Sequence, residues 1–333
     1  MSYRQMDKFN LLSKWKSLLF LLGLFQSLHA QSILQYRPVL LIVQHKESNR
    51  PEELAIRSFW RDTHQMYLIV QPDSLYTHED LATDYTSKPT DWNYLRMHWS
   101  SKPYIKALSE SLQNDSRLQN AGLIHLRDPE PGISLTIDLC PSKLSLDKRV
   151  FNALCQSITP YCLTVPVALS ISGQWLLSHK DDLSWLKSLA VQKELNIIWI
   201  NHTMHHHWNP NLPLYENFLL EQGTDLITEV LGNEELLLEH GLLPSCFFRF
   251  PGLVSDKSII EQIANWGLIS IGSDAWLSKG QKPKDSGSIV LVHANGHDLI
   301  GINAFLRLLQ NEKEKLKSGQ WRLIDLREEI QKE

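Results

Sequence analysis

From residue 133 onward, the sequence alternates between two hydrophobic patterns. Short runs rich in Ile, Leu and Val, most of them bounded by Gly, Pro, Ser or Asn, are typical of buried parallel strands. Longer segments between them carry apolar residues at helical spacing, as in 181–194, 256–266 and 300–317. This alternation predicts an α/β fold, either a (β/α) barrel or a doubly wound sheet. The predicted strands cover 133–138, 165–171, 195–201, 246–250, 267–273, 288–293 and 321–326.

Residues 31–131 repeat this alternation less clearly. Two apolar runs, 39–45 and 66–72, are predicted to be strands, and the segment PEELAIRSFW between them, 51–60, is predicted to be a helix. The segments SKPTDWN and SKPYIK are predicted to be loops. We therefore expect 31–131 to form an N-terminal α/β extension or subdomain, or to belong to the same body as 132–333, the predicted barrel domain.

The N-terminus has the layout of a secretory signal. A basic head precedes the short apolar segment SLLFLLGLF, and the stretch ends on the small residue Ala30. The apolar segment is far shorter than the roughly 20 residues that span a bilayer. The pattern predicts a signal peptide over 1–30, a mature chain that begins at Gln31, and a secreted or periplasmic protein with no stable membrane insertion after cleavage. An uncleaved anchor and a buried helix are the alternatives.

Composition narrows the class of protein. A chain of 333 residues with 43% hydrophobic and 21% charged residues is that of a globular protein with one large domain or two ordinary ones. The formal net charge is −4, and no basic stripe with interleaved aromatic residues occurs. These features argue against binding to nucleic acid.

The cysteines leave two interpretations open. Their number is even and the predicted compartment is oxidising, so one or two disulfides are compatible with the sequence, as are unpaired buried thiols. No CxxC occurs, which argues against a zinc site with thiolate ligands. The four cysteines are Cys140, Cys155, Cys162 and Cys246.

The segment NHTMHHHW, 201–208, contains four histidines within six positions: His202, His205, His206 and His207. Neutral imidazole is a common ligand for Zn²⁺ and related ions, so the segment is a candidate metal site. An exposed polar turn is the alternative. The segment alone does not distinguish between them.

Ionisable residues also stand at or near the ends of successive predicted strands. In parallel α/β folds the carboxyl ends of the strands meet on one face, where active sites are built. Any one of these residues could be a satisfied structural polar group, but several in register predict a common site. They are Asp138, His202, Arg249, Asp274 and His293.

The segments that carry these residues are LTIDLCPS, NHTMHH, FRFPG, SDAW and LVH, in that order. Together they resemble the five motifs of the polysaccharide deacetylases, carbohydrate esterase family four. The resemblance extends over about 133–326. It implies a distorted or incomplete (β/α) barrel of about seven strands and the hydrolysis of an N-acetyl, or an O-acetyl, group on a sugar.

The resemblance also implies a metal site. His202 and His206 occupy the two histidine-ligand positions of the family, and four residues of spacing would put them on one face if the segment turned helically. Zn²⁺ is the expected ion, with Co²⁺ or Ni²⁺ as alternatives. His205 lies at a variable position of the motif and His207 just beyond it, so neither is expected to point at that ion.

The first motif departs from the family pattern, because Leu139 stands where the family has a metal-binding aspartate. Three outcomes are open: Asp138 reaches the ion directly or through water, another group such as His205 completes the shell, or no metal binds. Cys140 replaces the family's glycine, and this Asp-x-Cys first motif resembles a divergent branch of the family rather than random decay.

The remaining roles follow from the resemblance. Asp138 would be the general base and His293 the general acid. Arg249 would hold Asp138 ionised, and Asp274 would hydrogen-bond His293 and raise its pKa. Trp276 would form a wall of the acetyl pocket. The residues expected to contact the substrate are Trp276, Pro251 and Trp208.

Three functions are therefore compatible with the sequence. The first is a secreted or periplasmic, metal-dependent deacetylase of a glycan such as peptidoglycan, a chitin-like oligomer or an exopolysaccharide. The second is a metal-free, inactive carbohydrate-binding protein on the same fold. The third is another amidohydrolase on this barrel, since a fold does not fix the substrate. The oligomeric state is left open.

Overall fold

The computed structural model describes residues 32–113, 116–127, 130–158 and 164–328. Residues from Ser32 onward form one compact unit. The predicted signal peptide, 1–30, lies outside the described residues. Within the described part of the chain, no helix has the length and apolar character needed to cross a membrane.

The N-terminal region is an antiparallel sheet followed by two helices, α1 (Trp92–His98) and α2 (Pro103–Ser111). The order of the strands in the sheet is β4-β3-β2-β1-β5. The strands are β1 (Ile33–His45), β2 (Glu53–Arg61), β3 (His64–Val70), β4 (Thr77–Leu81) and β5 (Tyr85–Pro89).

Three predictions for this region are wrong. The segment predicted to be a helix over 51–60 contains β2, in which Leu54, Ala55 and Ile56 are all buried, so its run of apolar residues reflects a strand covered on both faces. The two segments predicted to be loops overlap β5 and the starts of α1 and α2. Helix α1 has Asp91 as its N-cap, and α2 has Pro103 in its first turn, which are ordinary helix-start signals.

The rest of the chain forms an eight-stranded sheet in the order β10-β9-β8-β7-β6-β12-β11, with β13 added on β6. All its neighbouring strands are parallel. The end strands β10 and β11 are not paired with each other, so the barrel is incomplete. The strands are β6 (Gly132–Leu139), β7 (Val165–Ile171), β8 (Leu195–Asn201), β9 (Pro244–Phe248), β10 (Ile269–Ser270), β11 (Ala275–Trp276), β12 (Ser286–His293) and β13 (Arg322–Leu323).

The predicted fold class, a distorted or incomplete α/β barrel, is confirmed. Strands β7 and β8 have the predicted bounds, whereas β11, which has two residues, is too short to leave a hydrophobic pattern. The barrel helices are α3 (Lys148–Ile158), α4 (Gly173–Ser178), α5 (Lys180–Val191), α6 (Asn233–Glu239), α7 (Lys257–Asn265), α8 (Leu299–Asn311) and α9 (Lys313–Ser318). A π-helical segment, Ile227–Gly232, runs directly into α6.

Strand β6 shows how the barrel orients its side chains. All its residues are buried, but Ile133, Leu135, Ile137 and Leu139 belong to the hydrophobic cluster shared with α3, α5 and α8. The alternating residues, which include Thr136 and Asp138, face the other side of the sheet because successive strand side chains point in opposite directions. Polar groups thus line the inside of the barrel, where the candidate site lies.

The N-terminal region packs against the inner face of the incomplete barrel. Ile56 and Phe59 of β2 and Tyr104 of α2 share one hydrophobic cluster with Ile198 and Ile200 of β8. The N-terminal sheet and the barrel therefore have a common core rather than two independent ones.

Candidate metal and catalytic site

Four of the residues that the sequence placed at strand ends come together at the carboxyl edge of the barrel. Asp138 and His293 lie at the ends of β6 and β12, whereas His202 and Arg249 directly follow β8 and β9. Oδ2 of Asp138 is 3.8 Å from Nε2 of His202, and Oδ1 of Asp138 is 3.8 Å from Nε of Arg249. Asp138, His202 and Arg249 are nearly inaccessible to solvent, so the charges of Asp138 and Arg249 interact with little screening.

A cluster of three potential metal ligands adjoins Asp138. The ligand atoms of Cys140, His202 and His206 all lie within 4.8 Å of one another. Sγ of Cys140 is 3.5 Å from Nε2 of His202, and the two imidazole rings have centroids 4.6 Å apart. The cluster is the candidate metal site of this chain.

Sequence reasoning did not identify Cys140 as a ligand, although strand geometry contains the signal. Residues two apart on a strand share a face, so Cys140 lies on the same side as Asp138, and Leu139 points into the hydrophobic cluster behind β6. The side chain of Leu139, at the position where the family has an aspartate, therefore points away from the site, whereas the thiol of Cys140 faces the site.

His202 and His206 meet through a turn and not through a helix. The segment after β8 contains no helical residue, and Thr203 and His206 both have left-handed backbones, with φ of 66° and 50°. The backbone N–H of His206 donates to Oγ1 of Thr203 over 3.2 Å, which closes the turn. The helical turn considered in the sequence analysis is therefore wrong.

A backbone contact orients the His202 ring. Nδ1 of His202 is 2.8 Å from the carbonyl oxygen of Arg249, and because a carbonyl can only accept, Nδ1 carries the proton. Nε2 is then left with a lone pair that faces Cys140. An outer hydrogen bond of this kind fixes the tautomer that a metal-binding histidine needs.

The electrostatics favour the deprotonated thiol. Burial alone would raise the pKa of Cys140, but the charge of His206 and the hydrogen bond with His202 lower it well below its ordinary value. Nε2 of His206 is buried and has no hydrogen-bond partner among the described residues. One thiolate and two imidazoles supply three protein ligands of the types that zinc prefers, which is the number found in catalytic zinc sites that keep a fourth position for water or substrate. The residues present therefore fit a zinc ion.

Arg249 is fully buried beside the general-base candidate. Its Nη2 donates to Oγ1 of Thr136 over 2.8 Å, while Nε and Nη1 have no hydrogen-bond partner within the described chain. Burial lowers the pKa of Arg249, and the nearby Asp138 and Cys140 oppose that change. The expected ion pair with Asp138 is present at 3.8 Å, longer than a hydrogen bond.

His293 is held by Asp298, which the sequence analysis did not identify. Nδ1 of His293 is 3.4 Å from Oδ2 of Asp298, which also accepts from the backbone N–H of His293 over 3.2 Å. Burial would lower the pKa of His293, but hydrogen bonds to Asp298 and to Cys140 raise it to about 10. The signal was an acidic N-cap at the start of the next helix, α8.

The predicted contact between Asp274 and His293 is wrong. The Asp274 carboxylate is 2.8 Å from Nδ1 of His125 and accepts from the backbone N–H of Ile289 over 3.1 Å. Ile289 lies four residues before His293 on β12, which corresponds to roughly 13 Å along a strand. Asp274 therefore hydrogen-bonds to the middle of β12 and does not reach His293 at its end.

The other two histidines pair with carboxylates and are not among the clustered ligand atoms. Nδ1 of His205 is 2.6 Å from Oε1 of Glu229, and Nε2 of His207 is 3.1 Å from Oε2 of Glu221. Both line a cavity of about 420 Å³ together with Pro251. Because His205 is engaged with Glu229, it does not complete the ligand set.

Aromatic residues flank the site on two sides. The Trp276 ring lies 5.7 Å from the His293 ring between centroids, and Nζ of Lys279 is 3.6 Å from the Trp276 centroid. Trp208 is half exposed and packs on Phe218. A cleft of about 650 Å³ opens beside the cluster and is lined by Cys140, Ser278, His293, Asn295, His297, Asp298, Leu299 and Ile300.

The cysteines that the structure describes are free thiols: Cys140, Cys155 and Cys246. Cys162 lies outside the described residues. The lack of CxxC led us to expect no thiolate ligand, but the candidate metal site contains a single cysteine and therefore needs no CxxC pair.

Comparisons with known proteins give two findings. Residues 35–105 match the family model described as the RP012 protein N-terminal domain. The solved structures that match include a family 4 carbohydrate esterase from Bacillus subtilis, at 17% identity, 67% coverage of this chain, 86% of that chain and a TM-score of 0.44.

Two further matches are the chitin deacetylase of the fungal pathogen Colletotrichum lindemuthianum and a CE4 family pseudoenzyme from Bacillus anthracis. The first has 16% identity, coverage of 61% of this chain and 88% of that chain, and a TM-score of 0.42. The second has 15% identity, coverage of 64% and 70%, and a TM-score of 0.41. Carbohydrate esterases of family four, which the five sequence motifs resemble, are thus among the structures that this chain matches.

Proposed function

We propose that this chain is a metal-dependent deacetylase that hydrolyses N-acetyl or O-acetyl groups on a polysaccharide or oligosaccharide outside the cytoplasm. The observation that carries the proposal is the grouping of Cys140, His202 and His206 within 4.8 Å of one another, next to the carboxylate of Asp138. A ligand set beside a carboxylate that can act as the base is the arrangement that metal-assisted hydrolysis requires.

Cys140, His202 and His206 would hold the ion, and zinc suits this donor set best. When bound, such an ion supplies polarisation of the acetyl carbonyl and acidification of the attacking water. Asp138 is well placed to take the proton of that water, because Oδ1 has no hydrogen-bond partner among the described residues. The charge of Arg249 attracts the Asp138 carboxylate and helps to hold it beside the ligand cluster.

The leaving group needs a proton, and His293 can supply it. Its pKa is raised to about 10, so the imidazolium form is present at neutral pH. As the carbon–nitrogen bond breaks, His293 would protonate the leaving amine, and acetate would be the second product. Asp298 positions the ring and stabilises its charge.

The walls of the site support a saccharide substrate. Trp276 beside His293 would contact the acetyl group, and Trp208 with Phe218 offers an apolar ring surface beside His206. Pro251 lines the neighbouring cavity, which also contains His205 and His207. Secretion or export to the periplasm rests on the sequence pattern of 1–30.

The test is metal analysis of the purified protein combined with acetate release from acetylated chitin oligomers, peptidoglycan and an exopolysaccharide. We expect nearly one zinc per chain, its loss in His202→Ala, and acetate release that depends on it. A protein that binds these glycans without metal or hydrolysis would be the inactive carbohydrate-binding alternative. Metal-dependent cleavage of amides other than those on sugars would indicate a different amidohydrolase.

A further inference from the structure

We propose that the N-terminal sheet positions the metal-binding histidines, through a buried clamp formed by Tyr36, Arg57 and Glu234. This inference rests on the proposed function of the Cys140, His202 and His206 cluster. It assigns a role to the N-terminal region beyond covering the barrel. The three residues act as positioning residues, since none of them touches the ligand cluster.

The clamp joins the two parts of the fold by a buried ion pair. Arg57 of β2 donates from Nε to Oε2 of Glu234 over 2.7 Å and from Nη2 to Oε1 over 3.0 Å, and both side chains are 0% exposed. Tyr36 of β1 donates its hydroxyl to Oε2 of Glu234 over 3.0 Å. Bidentate pairing with an arginine fixes the orientation of a carboxylate.

Register shifts in the N-terminal sheet determine the directions of the Tyr36 and Arg57 side chains. The pairing of β1 with β2 shifts between Leu34 and Arg37, next to Tyr36, and the pairing of β2 with β3 shifts between Ala55 and Arg57. Each shift adds one residue to one strand. Bulges of this kind redirect a side chain out of the regular alternation.

Glu234 stands in the first turn of α6. The residue before it, Asn233, contacts the histidine segment. Nδ2 of Asn233 donates to Oδ1 of Asn201 over 2.8 Å, and Oδ1 of Asn201 also accepts from the backbone N–H of Thr203 over 3.0 Å. Nδ2 of Asn201 donates to the carbonyl of Val230 over 2.8 Å. The side chain of Asn201 therefore connects Asn233 and Val230 to the backbone of Thr203, and the residues on both sides of His202 are held by these contacts.

The π-helical segment before α6 makes a second set of contacts. Glu229 accepts from the backbone N–H of His205 over 3.0 Å through its carboxylate and from the N–H of Met204 over 2.8 Å through its carbonyl. The stretch 227–239 thus contacts the histidine segment on one side and the clamp on the other. A π-helical insertion in a helix commonly marks such a functional position.

The histidine segment needs external support because it has no regular structure. Thr203 and His206 are held with positive φ, a conformation that residues with a side chain adopt only when their surroundings enforce it. If the stretch 227–239 shifted, His206 would lose the geometry that brings it to Cys140.

The experiment compares clamp variants with a control pair elsewhere in the fold. Arg57→Met combined with Glu234→Leu replaces the ion pair by apolar side chains of similar size, which buried pairs often tolerate. Tyr36→Phe removes a single hydrogen bond and serves if the double variant does not fold. Arg327→Met is the control, since Arg327 pairs with Asp325 over 2.6 Å just after β13, away from the histidine segment.

Three quantities are measured: zinc affinity by chelator competition, hydrogen exchange of the amides of residues 203–206 in metal-free protein, and the melting temperature. In the clamp variants we expect zinc affinity to fall by about 10–100-fold, as for loss of other outer contacts of a metal site, and the amides to exchange faster. The control should melt lower without either change.

Equal zinc affinity and equal exchange in clamp variant and unaltered protein would overturn the inference. So would an effect in Arg327→Met as large as that in the clamp variants. If the unaltered protein binds no zinc, the proposed function fails, and the exchange of residues 203–206 still decides whether the clamp positions them.

Discussion

Sγ of Cys140 lies 3.5 Å from Nε2 of His202, although 62 residues separate the two in the sequence. Because Nδ1 of His202 is committed to the carbonyl of Arg249, the facing electron pairs of sulfur and Nε2 require a proton or a cation between them. Asp138, at 3.8 Å from the same nitrogen, adds negative charge. This relationship makes Cys140 the proposed third ligand and leads to four predictions.

Replacing the thiol should remove the metal. Cys140→Ser loses the soft ligand, so zinc affinity and acetate release should both fall by more than the roughly 10–100-fold that loss of an outer contact produces. Inductively coupled plasma spectrometry and an acetate assay measure the two effects. Cys155→Ser, which alters a free cysteine outside the cluster, should leave both unchanged. Full zinc content in Cys140→Ser would contradict the assignment.

Restoring the family's aspartate should harm the protein. Leu139 is 0% exposed in the same hydrophobic cluster as Ile137 and Trp175, so Leu139→Asp buries an unpaired carboxylate. The free energy of unfolding should fall by about 4 kcal/mol or more, by denaturant titration. Zinc affinity should not rise, because the new side chain points away from the histidines. A gain of metal binding and acetate release would show that the native site lacks a ligand.

The base and the ligand roles of Asp138 can be separated. Asp138→Asn keeps the shape of the side chain but takes up no proton, so kcat should fall by about 10²–10⁴-fold while zinc content stays near that of the unaltered protein. Steady-state kinetics with metal analysis of the same sample test this. Zinc loss in Asp138→Asn that matches the loss in His206→Ala would instead make Asp138 a ligand.

The pH profile should depend on Asp298 and not on Asp274. The pKa of His293 is raised to about 10, so its protonated form, the proposed acid, persists at neutral pH and is lost as the pH rises through that value. In Asp298→Asn the carboxylate that raises the pKa is gone, so the alkaline limb of kcat should move to lower pH by about one to three units.

Asp274→Asn is the matched control, because Asp274 contacts His125 and the backbone of β12. Its alkaline limb should stay in place. Equal displacement of the limb in both variants would mean that His293 is not the titrating acid. The measurement is kcat across the alkaline pH range under saturating substrate.

The barrel was predictable because its strands are continuous apolar runs with clear boundaries. Strands β7 and β8 have the predicted bounds. The site forms from polar residues that lie at or just after the ends of the barrel strands. Strand β2 was not predictable in the same way. A short run that is buried on both faces lacks the hydrophobic periodicity that would distinguish a strand from a helix. The residues that bury it are distant in the sequence.

Local pattern and motif order were thus enough to place Asp138, His202, His206, Arg249 and His293 at one edge of a parallel α/β barrel, since hydrophobic periodicity and strand ends are properties of neighbouring residues. The partners of those residues depend on strand register and on chain reversals. Strand alternation turns Leu139 away and Cys140 inward, β12 carries His293 to Asp298 and away from Asp274, and β-bulges bring Tyr36 and Arg57 to Glu234. Contacts between residues 62 or 177 positions apart have no local signature, because they form only when the whole chain has packed.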